Sequence, residues 1–286
     1  MKKVQEYIRP TSLEEALAAK AAKPDAVWLA GGTFVLAGDG RDKPETVIDL
    51  ADVLPRNLER VENEIVIDAG VSFQSLADSP LAPPVLRASA LQMANRNVRN
   101  QATVGGNLGA GKTCASLLPP FLALDAMVRM ANFVTGAGFV DSGILLPLAE
   151  WLSKPVGLIL DVRVKMELGR HAASLRWSRS DCDLSVLIAA VSFFRSRESA
   201  GAPSKKNEPS LILKSRIALG GFGPRARRFS ELEKLFDLKP LPSRDEIAAM
   251  VRPLLPAIDD HRGSAAFKKL RGAELIADAF SSAEAL

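Results

Sequence analysis

Residues 102–113 of the chain read ATVGGNLGAGKT, and the interpretation of this glycine-rich stretch decides the fold. Its second part, residues 106–113, matches the pattern G-x-x-x-x-G-K-[ST], with which nucleoside triphosphatases bind phosphate. In such a loop a buried β-strand ends at the first glycine, and a helix beginning at the lysine directs its N–H groups at the phosphates. Residues 99–105 contain no four-residue apolar run, so that strand is missing. The run at residues 158–161 could serve as a magnesium-holding strand, which keeps a triphosphatase as the weaker alternative.

Size and composition indicate a packed, soluble protein. The chain has 286 residues, enough for two domains, and its 47% hydrophobic and 24% charged content is typical of globular proteins. A net charge of +4 is too small to indicate a nucleic-acid-binding face. Cys114 and Cys182 have no C-x-x-C partner, so this chain alone can build neither an iron–sulfur cluster nor a zinc site. With no run of about 18 apolar residues, we expect a cytoplasmic protein without a membrane span.

The first half of the chain alternates short strands with helices. Thr11 or Ser12 can cap a first helix, and Glu14 and Glu15 fall in its first turn, where the helix dipole favours acidic groups. The order of elements near the N-terminus indicates a small α/β unit with glycines at a strand end. We predict strands near residues 26–30, 46–50, 64–71, 127–130 and 158–164, helices near residues 13–19, 72–78, 85–95 and 117–126, and a glycine-rich loop through Gly136 and Gly138.

A change of pattern near residues 169–174 predicts a domain boundary, because polar and small residues precede a new series of elements. The predicted domains are residues 1–170 and residues 171–286. In the second domain we predict a buried helix near residues 183–194, a polar turn at residues 201–209, a strand at residues 212–219 and two or three helices towards the C-terminus.

Two stretches pair adjacent glycines with a small polar residue, at residues 29–33 (LAGGT) and 102–107 (ATVGGN). Paired glycines let backbone amides approach a pyrophosphate without an intervening Cβ, and hydroxyl or amide side chains add neutral donors. Each stretch alone could be a tight turn. Together they indicate one dinucleotide held between two loops.

These stretches resemble the FAD-binding, or medium, subunit of the molybdenum hydroxylase family, whose members include xanthine dehydrogenase and aerobic carbon monoxide dehydrogenase. The most specific similarity is VRNQATVGGNL at residues 98–108, which resembles the family pattern V-R-N-x-A-T-I-G-G-N-[IL]. The resemblance covers nearly the whole chain. It also includes residues 7–17, 29–33, 117–119, 123–126, 178–179, 218–221 and 262–269.

The resemblance implies a fold of the α+β / α/β class. A two-subdomain FAD-binding domain of the PCMH type, made of two α/β subdomains, is followed by a smaller C-terminal α+β domain with an antiparallel sheet. By the same resemblance, the FAD pyrophosphate lies between the two loops. The implied contacts are Ala30, Gly31, Gly32, Thr33 and Phe34 from the first loop and Thr103, Val104, Gly105, Gly106 and Asn107 from the second.

Three positions depart from the family pattern. Ser116 stands where the family commonly has an aspartate that holds the flavin's polar chain, so a hydroxyl replaces a carboxylate there. Lys112 is expected to add a cation near the phosphates, or else to lie in a solvent-facing loop. Leu175, with Arg176 beside it, stands where xanthine dehydrogenase relatives carry a lysine near the flavin.

The resemblance implies an oxidoreductase subunit that passes electrons from iron–sulfur clusters in a partner, through FAD, to an acceptor such as NAD or a quinone. The expected partners are a molybdopterin-binding large subunit and a 2Fe-2S small subunit, and the substrate is decided outside this chain. His171 and His261 stand alone, so no catalytic side chain and no metal site are expected. The alternative function is an assembly subunit with weakened FAD binding. Arg225, Arg227 and Arg228 form either a docking surface or a solvated face.

Overall fold

The computed structural model describes residues 4–37, 44–134, 139–196 and 210–285. The loop predicted at Gly136 and Gly138 and the turn predicted at residues 201–209 lie outside these ranges. The chain forms two compact units, and each is assembled from three separate segments. The first unit holds residues 1–82, 95–110 and 126–164, and the second holds residues 83–94, 111–125 and 165–286.

The first unit begins with a small parallel sheet of order β1-β3-β2, made of β1 (Glu6–Ile8), β2 (Val27–Leu29) and β3 (Thr46–Asp49). Helix α1 (Leu13–Ala22) follows β1, and the Ser12 side chain accepts a hydrogen bond from the Glu15 N–H at its N-cap. The first glycine pair comes directly after β2. The predicted α/β unit with glycines at a strand end is therefore confirmed.

A second sheet of five strands completes the first unit, in the order β4-β5-β8-β6-β7. The pairs β4/β5, β6/β7 and β6/β8 are antiparallel. Its strands are β4 (Leu58–Val61), β5 (Glu64–Asp68), β6 (Met127–Val134), β7 (Phe139–Pro147) and β8 (Leu158–Lys165), and the helices of this part are α2 (Phe73–Asp78), α4 (Arg96–Gln101), α5 (Val104–Ala110) and α7 (Leu148–Ser153).

The second unit is built on a four-stranded antiparallel sheet of order β12-β11-β10-β9. Its core joins this sheet to the C-terminal helix, where the Phe280 ring lies 5.6 Å from Phe193 and 4.6 Å from Phe236. The strands are β9 (Arg170–Trp177), β10 (Leu187–Arg195), β11 (Ile212–Gly220) and β12 (Arg227–Arg228), and the helices are α3 (Pro84–Leu91), α6 (Leu118–Ala123), α8 (Ser230–Glu233), α9 (Arg244–Val251) and α10 (Ala265–Glu284).

The helix predicted near residues 183–194 is wrong, because the structure places strand β10 there. Its first eight residues are all buried, and it pairs with β9 on one side and β11 on the other. A strand buried on both faces shows no alternation of polar and apolar residues, so its pattern resembles that of a buried helix. The α+β / α/β fold class is confirmed, whereas the predicted domain boundary at residue 170 stays a prediction.

Candidate cofactor site

A cavity of about 430 Å³ opens in the first unit, beside both glycine loops. Ala30 and Gly31 line it from the first loop, and Thr103 lines it from the second. Among the lining residues that the structure describes, Arg56 is the one charged residue, and none of them carries a carboxylate. The remaining lining residues are Leu50, Ala51, Leu54, Gly70, Ser72, Ser75, Asn100 and Gln101.

The structure brings the two glycine loops into direct contact. A Cβ on Gly31 would collide with the carbonyl of Gln101 and would lie 3.1 Å from the Ala102 Cα, so only glycine lets the loops approach this closely. A Cβ on Gly106 would lie 3.8 Å from the Ala30 Cβ. The two sequence stretches therefore form one surface, as the dinucleotide interpretation requires.

The first loop offers backbone donors to a ligand. Among the residues that the structure describes, the amides of Gly31, Gly32 and Thr33 donate no hydrogen bond. Gly32 has φ +69°, a conformation that L side chains rarely adopt. Phe34 follows with 48% of its surface exposed. Consecutive N–H groups without an internal acceptor form a surface suited to an anion.

The second loop differs, since most of its amides bond within the protein. Val104 and Gly105 donate to the carbonyls of Val71 and Ala69, each at 2.9 Å, and the Asn107 amide donates to the Thr103 carbonyl at 3.0 Å. The Gly106 amide donates to the Thr103 hydroxyl at 3.1 Å. The hydroxyl of Thr103 and the exposed surface of Gly106 are thus what this loop presents to a ligand, while the Val104 side chain is fully buried.

The triphosphatase interpretation of residues 106–113 is wrong. Helix α4, not a strand, precedes the loop, and α5 runs from Val104 to Ala110, so the first glycine of the pattern, Gly106, lies inside a helix. Lys112 follows the end of α5 instead of beginning a helix. The Thr113 hydroxyl accepts a hydrogen bond from the Gly221 amide at 2.7 Å, so it stabilises a loop of the second unit.

The aspartate of the strand that could have held magnesium, Asp161, is engaged in other contacts. Asp161, on β8, is buried and forms salt bridges with Arg129 and, at 3.0 Å, with Arg163. A carboxylate neutralised by two guanidinium groups is part of an internal ion-pair network and does not present a magnesium ligand.

The three departures from the family pattern all lie in the second unit. Lys112 is exposed and Ser116 is half-buried. Leu175, on β9, packs against the hydrophobic core, so it occupies a structural position. Arg176 donates to the carbonyls of Asp181 and, at 2.9 Å, Asp183, and burial lowers the pKa of its guanidinium.

Sequence analysis missed several polar lining residues. Asn100 and Gln101 stand inside the most specific motif but were not assigned to the site. Ser72 caps α2 by accepting from the Ser75 amide, and a serine pair before an apolar helix is a recognisable capping signal. No local pattern marks Arg56, because only the tertiary fold brings residue 56 to the cavity.

Comparisons with known proteins agree with this site. Residues 2–137 match the family described as the FAD binding domain in molybdopterin dehydrogenase. Over 145 residues the chain is 32% identical to a putative xanthine dehydrogenase FAD-binding subunit, XdhB, of Escherichia coli. The aligned region covers 46% of this chain and 50% of that protein. Residues 2–137 are therefore similar to this FAD-binding domain, and FAD is the cofactor of the domain. The chain as a whole is similar to flavoprotein subunits of molybdenum dehydrogenases, which are oxidoreductases.

Two further similarities extend over nearly the full length of both chains. Escherichia coli YgfM is 29% identical over 282 residues, covering 98% of this chain and 97% of that protein. A carbon monoxide dehydrogenase chain from Hydrogenophaga pseudoflava has the same fold, with a TM-score of 0.84 and 23% identity over 100% of this chain and 99% of that one. Among the described residues, no helix is both long and apolar enough to span a membrane.

The residues of the cavity fit a diphosphate. Gly31, Thr103 and Arg56 line the cavity, and no described lining residue carries a carboxylate. The amides of residues 32 and 33 follow Gly31 along the first loop. Gly31 has no side chain where the two loops meet, and Gly106 is exposed. These two residues therefore place no side chain between the loops. An anionic group would therefore meet donors and no like charge.

Proposed function

We propose that this chain binds FAD with its pyrophosphate between the two glycine loops and acts as the electron-transfer subunit of a molybdenum hydroxylase. The observation that carries the proposal is the contact between the two loops beside one cavity, whose described lining residues include no carboxylate. The proposed contacts are Ala30, Gly31, Gly32, Thr33 and Phe34 on one side and Thr103 and Gly106 on the other. Val104, Gly105 and Asn107, whose amides bond within the protein, stay predicted contacts from the sequence. Lys112 and Ser116 stay predicted contacts.

The task of this chain's own residues is to bind and orient the cofactor. Bound FAD supplies the redox chemistry, accepting and releasing electrons. The first-loop amides hold the diphosphate, and the exposed Phe34 ring offers an apolar surface beside that loop. His171 has a structural role, since its Nδ1 lies 3.1 Å from the Ala283 carbonyl and its ring stacks on Phe193.

The proposed partners are a molybdopterin-binding large subunit and a 2Fe-2S small subunit, and the proposed acceptor is NAD or a quinone. The relative named XdhB is a subunit by its own description, which supports assembly into a complex. Arg227 and Arg228, considered for docking together with Arg225, have contacts within the protein. Arg228 binds Glu233 at 2.7 Å and Asp125 at 2.6 Å, and the Arg227 guanidinium lies 4.3 Å from the Phe229 ring centre. A cytoplasmic location stays a prediction.

A flavin-binding measurement tests the proposal. Gly106→Leu should lower FAD affinity by roughly tenfold or more, because a Cβ at residue 106 would lie 2.8 Å from the Thr103 hydroxyl and the larger side chain would enter the space facing Ala30. Residue 106 lies in a helix and is exposed, so leucine is compatible with the fold. Visible absorbance of the purified proteins with and without added FAD gives the flavin occupancy.

Lys112→Ala is the matched comparison. An exposed lysine contributes little to binding, so we expect a change of less than about twofold. The reverse ranking, with Lys112→Ala losing flavin and Gly106→Leu retaining it, would overturn the proposed site. A colourless wild-type protein that copurifies with a molybdenum subunit would instead support the assembly-subunit function, for which Ser116 and Leu175 are the motivating residues.

A further inference from the structure

We propose that Arg56 provides the positive charge that binds the diphosphate of FAD, a role for which sequence analysis considered Lys112. This inference rests on the proposed function, because it assumes that FAD occupies the cavity. Arg56 lines the same cavity as Gly31 and Thr103, and among the described lining residues it is the one that carries a charge. A hydrogen bond from another arginine lowers the pKa of Asp52, and the positive charge of Arg56 also lowers it. Asp52 does not line the cavity, so no described acid opposes the charge of Arg56 in the wall itself.

The fold positions Arg56 through a close contact with Gly70. A Cβ on Gly70 would lie 3.1 Å from the Arg56 Cγ and 2.5 Å from the Pro55 carbonyl oxygen. The aliphatic part of Arg56 therefore lies across a position that tolerates no side chain. This contact fixes the base of the arginine at the cavity wall, and its guanidinium lies beside the carbonyl of Ala51, another lining residue.

The guanidinium of Arg56 is weakly engaged in the protein. Its recorded hydrogen bond, to the Ala51 carbonyl, is long at 3.4 Å, and it forms no salt bridge among the described residues. Nearby Arg9 differs, because it binds Asp52 at 2.7 Å. A planar guanidinium that no described carboxylate holds in a salt bridge can make two parallel hydrogen bonds to phosphate oxygens, which a lysine cannot make.

The test is an FAD titration of the full chain at low and at high salt. Quenching of flavin fluorescence measures the binding. Arg56→Gln should weaken FAD binding by about tenfold, the effect expected when charge-assisted hydrogen bonds are lost. Arg56→Lys keeps the charge without the planar fork, so its affinity should lie between those of Arg56→Gln and the wild type. Because salt screens this exposed charge, the difference between wild type and Arg56→Gln should shrink at high salt.

Arg60→Gln is the matched control. Arg60 is exposed on β4 and donates to the Glu62 carbonyl at 3.1 Å, and it does not line the cavity. It should leave FAD affinity unchanged at both salt concentrations. The melting temperatures of the FAD-free proteins show whether a variant affects folding instead of binding. We expect Arg56→Gln and Arg60→Gln to have the same melting temperature.

The outcomes separate this inference from the proposed function. If the wild type binds no FAD, the proposed function fails and this inference fails with it. If the wild type binds FAD and Arg56→Gln binds it equally tightly, the proposed function stands and the role of Arg56 is wrong. A loss of affinity that does not depend on salt, accompanied by a lower melting temperature, would show that Arg56 acts through packing on Gly70 and would also overturn the inference.

Discussion

Two buried carboxylates of the five-stranded sheet have different surroundings. Asp161 has two arginine partners, whereas Asp68, with 8% of its surface exposed, accepts a hydrogen bond from the Asn57 amide at 2.7 Å. Burial raises the pKa of Asp68, and the negative charge of Asp161 raises it further. A buried acid with a raised pKa favours its neutral form in the folded state.

Asp68→Asn should therefore change the pH dependence of stability. The pKa of the Asp68 carboxyl is about 4 in the unfolded chain and higher in the folded protein. The contribution of Asp68 to the free energy of unfolding is therefore complete below about pH 4, and it is lost as the pH rises through the folded pKa. Asparagine keeps an acceptor for the Asn57 amide and carries no charge. The stability of Asp68→Asn relative to the wild type should grow between about pH 4 and pH 7, measured by denaturant midpoints.

Asp52→Asn is the control of opposite sign for that experiment. The hydrogen bond from Arg9 lowers the pKa of Asp52, so its contribution is present above about pH 4 and is lost as the pH falls through the folded pKa. A relative stability of Asp68→Asn that stays constant with pH would contradict the raised pKa.

The glycine loops of the site could be predicted from sequence, because glycine pairs have a local meaning that neighbouring residues reveal. Arg56 could not be predicted. Its place in the cavity depends on Gly70, 14 positions along the chain, and no local pattern connects the two. The prediction that Lys112 lies near the phosphates relied on nearness in sequence and stays a prediction, whereas the proposal for Arg56 relies on its place in the cavity wall.

At the scale of single elements, the hairpin formed by β4 and β5 contains a strained residue. The turn between Val61 and Glu64 has only two residues, and the first of them, Glu62, is exposed with φ +55°. Residues other than glycine are disfavoured in this left-handed region of the backbone, at a cost of about 1–2 kcal/mol. The hairpin therefore carries a local cost that a substitution can remove.

Glu62→Gly should raise the free energy of unfolding by about 0.5–1 kcal/mol, because relief of the strained φ outweighs the added freedom of glycine in the unfolded chain. Glu59→Gly makes the same chemical change three positions earlier, inside β4, and should lower the free energy of unfolding by about 0.5–1 kcal/mol. Thermal and denaturant unfolding of both variants give the comparison. Changes of the same sign at both positions would argue against the turn geometry.

Elements with a clear polar and apolar pattern or a capping residue, such as α1 with Ser12, were predicted near their observed positions. Strand β10 was not, because its identity depends on the two strands that cover its edges. Its sequence between Leu187 and Phe194 is apolar enough to suit a helix or a strand. Only the pairing partners, which lie elsewhere in the chain, settle the choice.

At the scale of the whole molecule, the second unit depends on segments far from its C-terminal sequence. Every residue of α6 is buried, and the helix packs against β10 and β11. The buried Ser192 hydroxyl of β10 donates to the Ala123 carbonyl at the end of α6, at 2.6 Å. A fragment that starts at residue 171 lacks this helix and leaves the sheet surface beneath it uncovered.

We expect residues 171–286 expressed alone to bind a hydrophobic dye strongly and to lose cooperative unfolding, since an apolar sheet face becomes exposed. Coexpression with residues 83–125, which contain α3 and α6, should restore cooperative melting at least in part. The full chain serves as the reference. A lone fragment that melts cooperatively and binds no dye would show that the predicted domain 171–286 folds independently of α6.

The chain passes between its two units five times. Neither unit corresponds to a continuous piece of a gene, so recombination at any single point in the coding sequence would divide at least one of them. During evolution the two units can then be gained, lost or fused to other proteins only together. The coding sequence of this chain should therefore be inherited as a whole, even where the genes of partner subunits are exchanged.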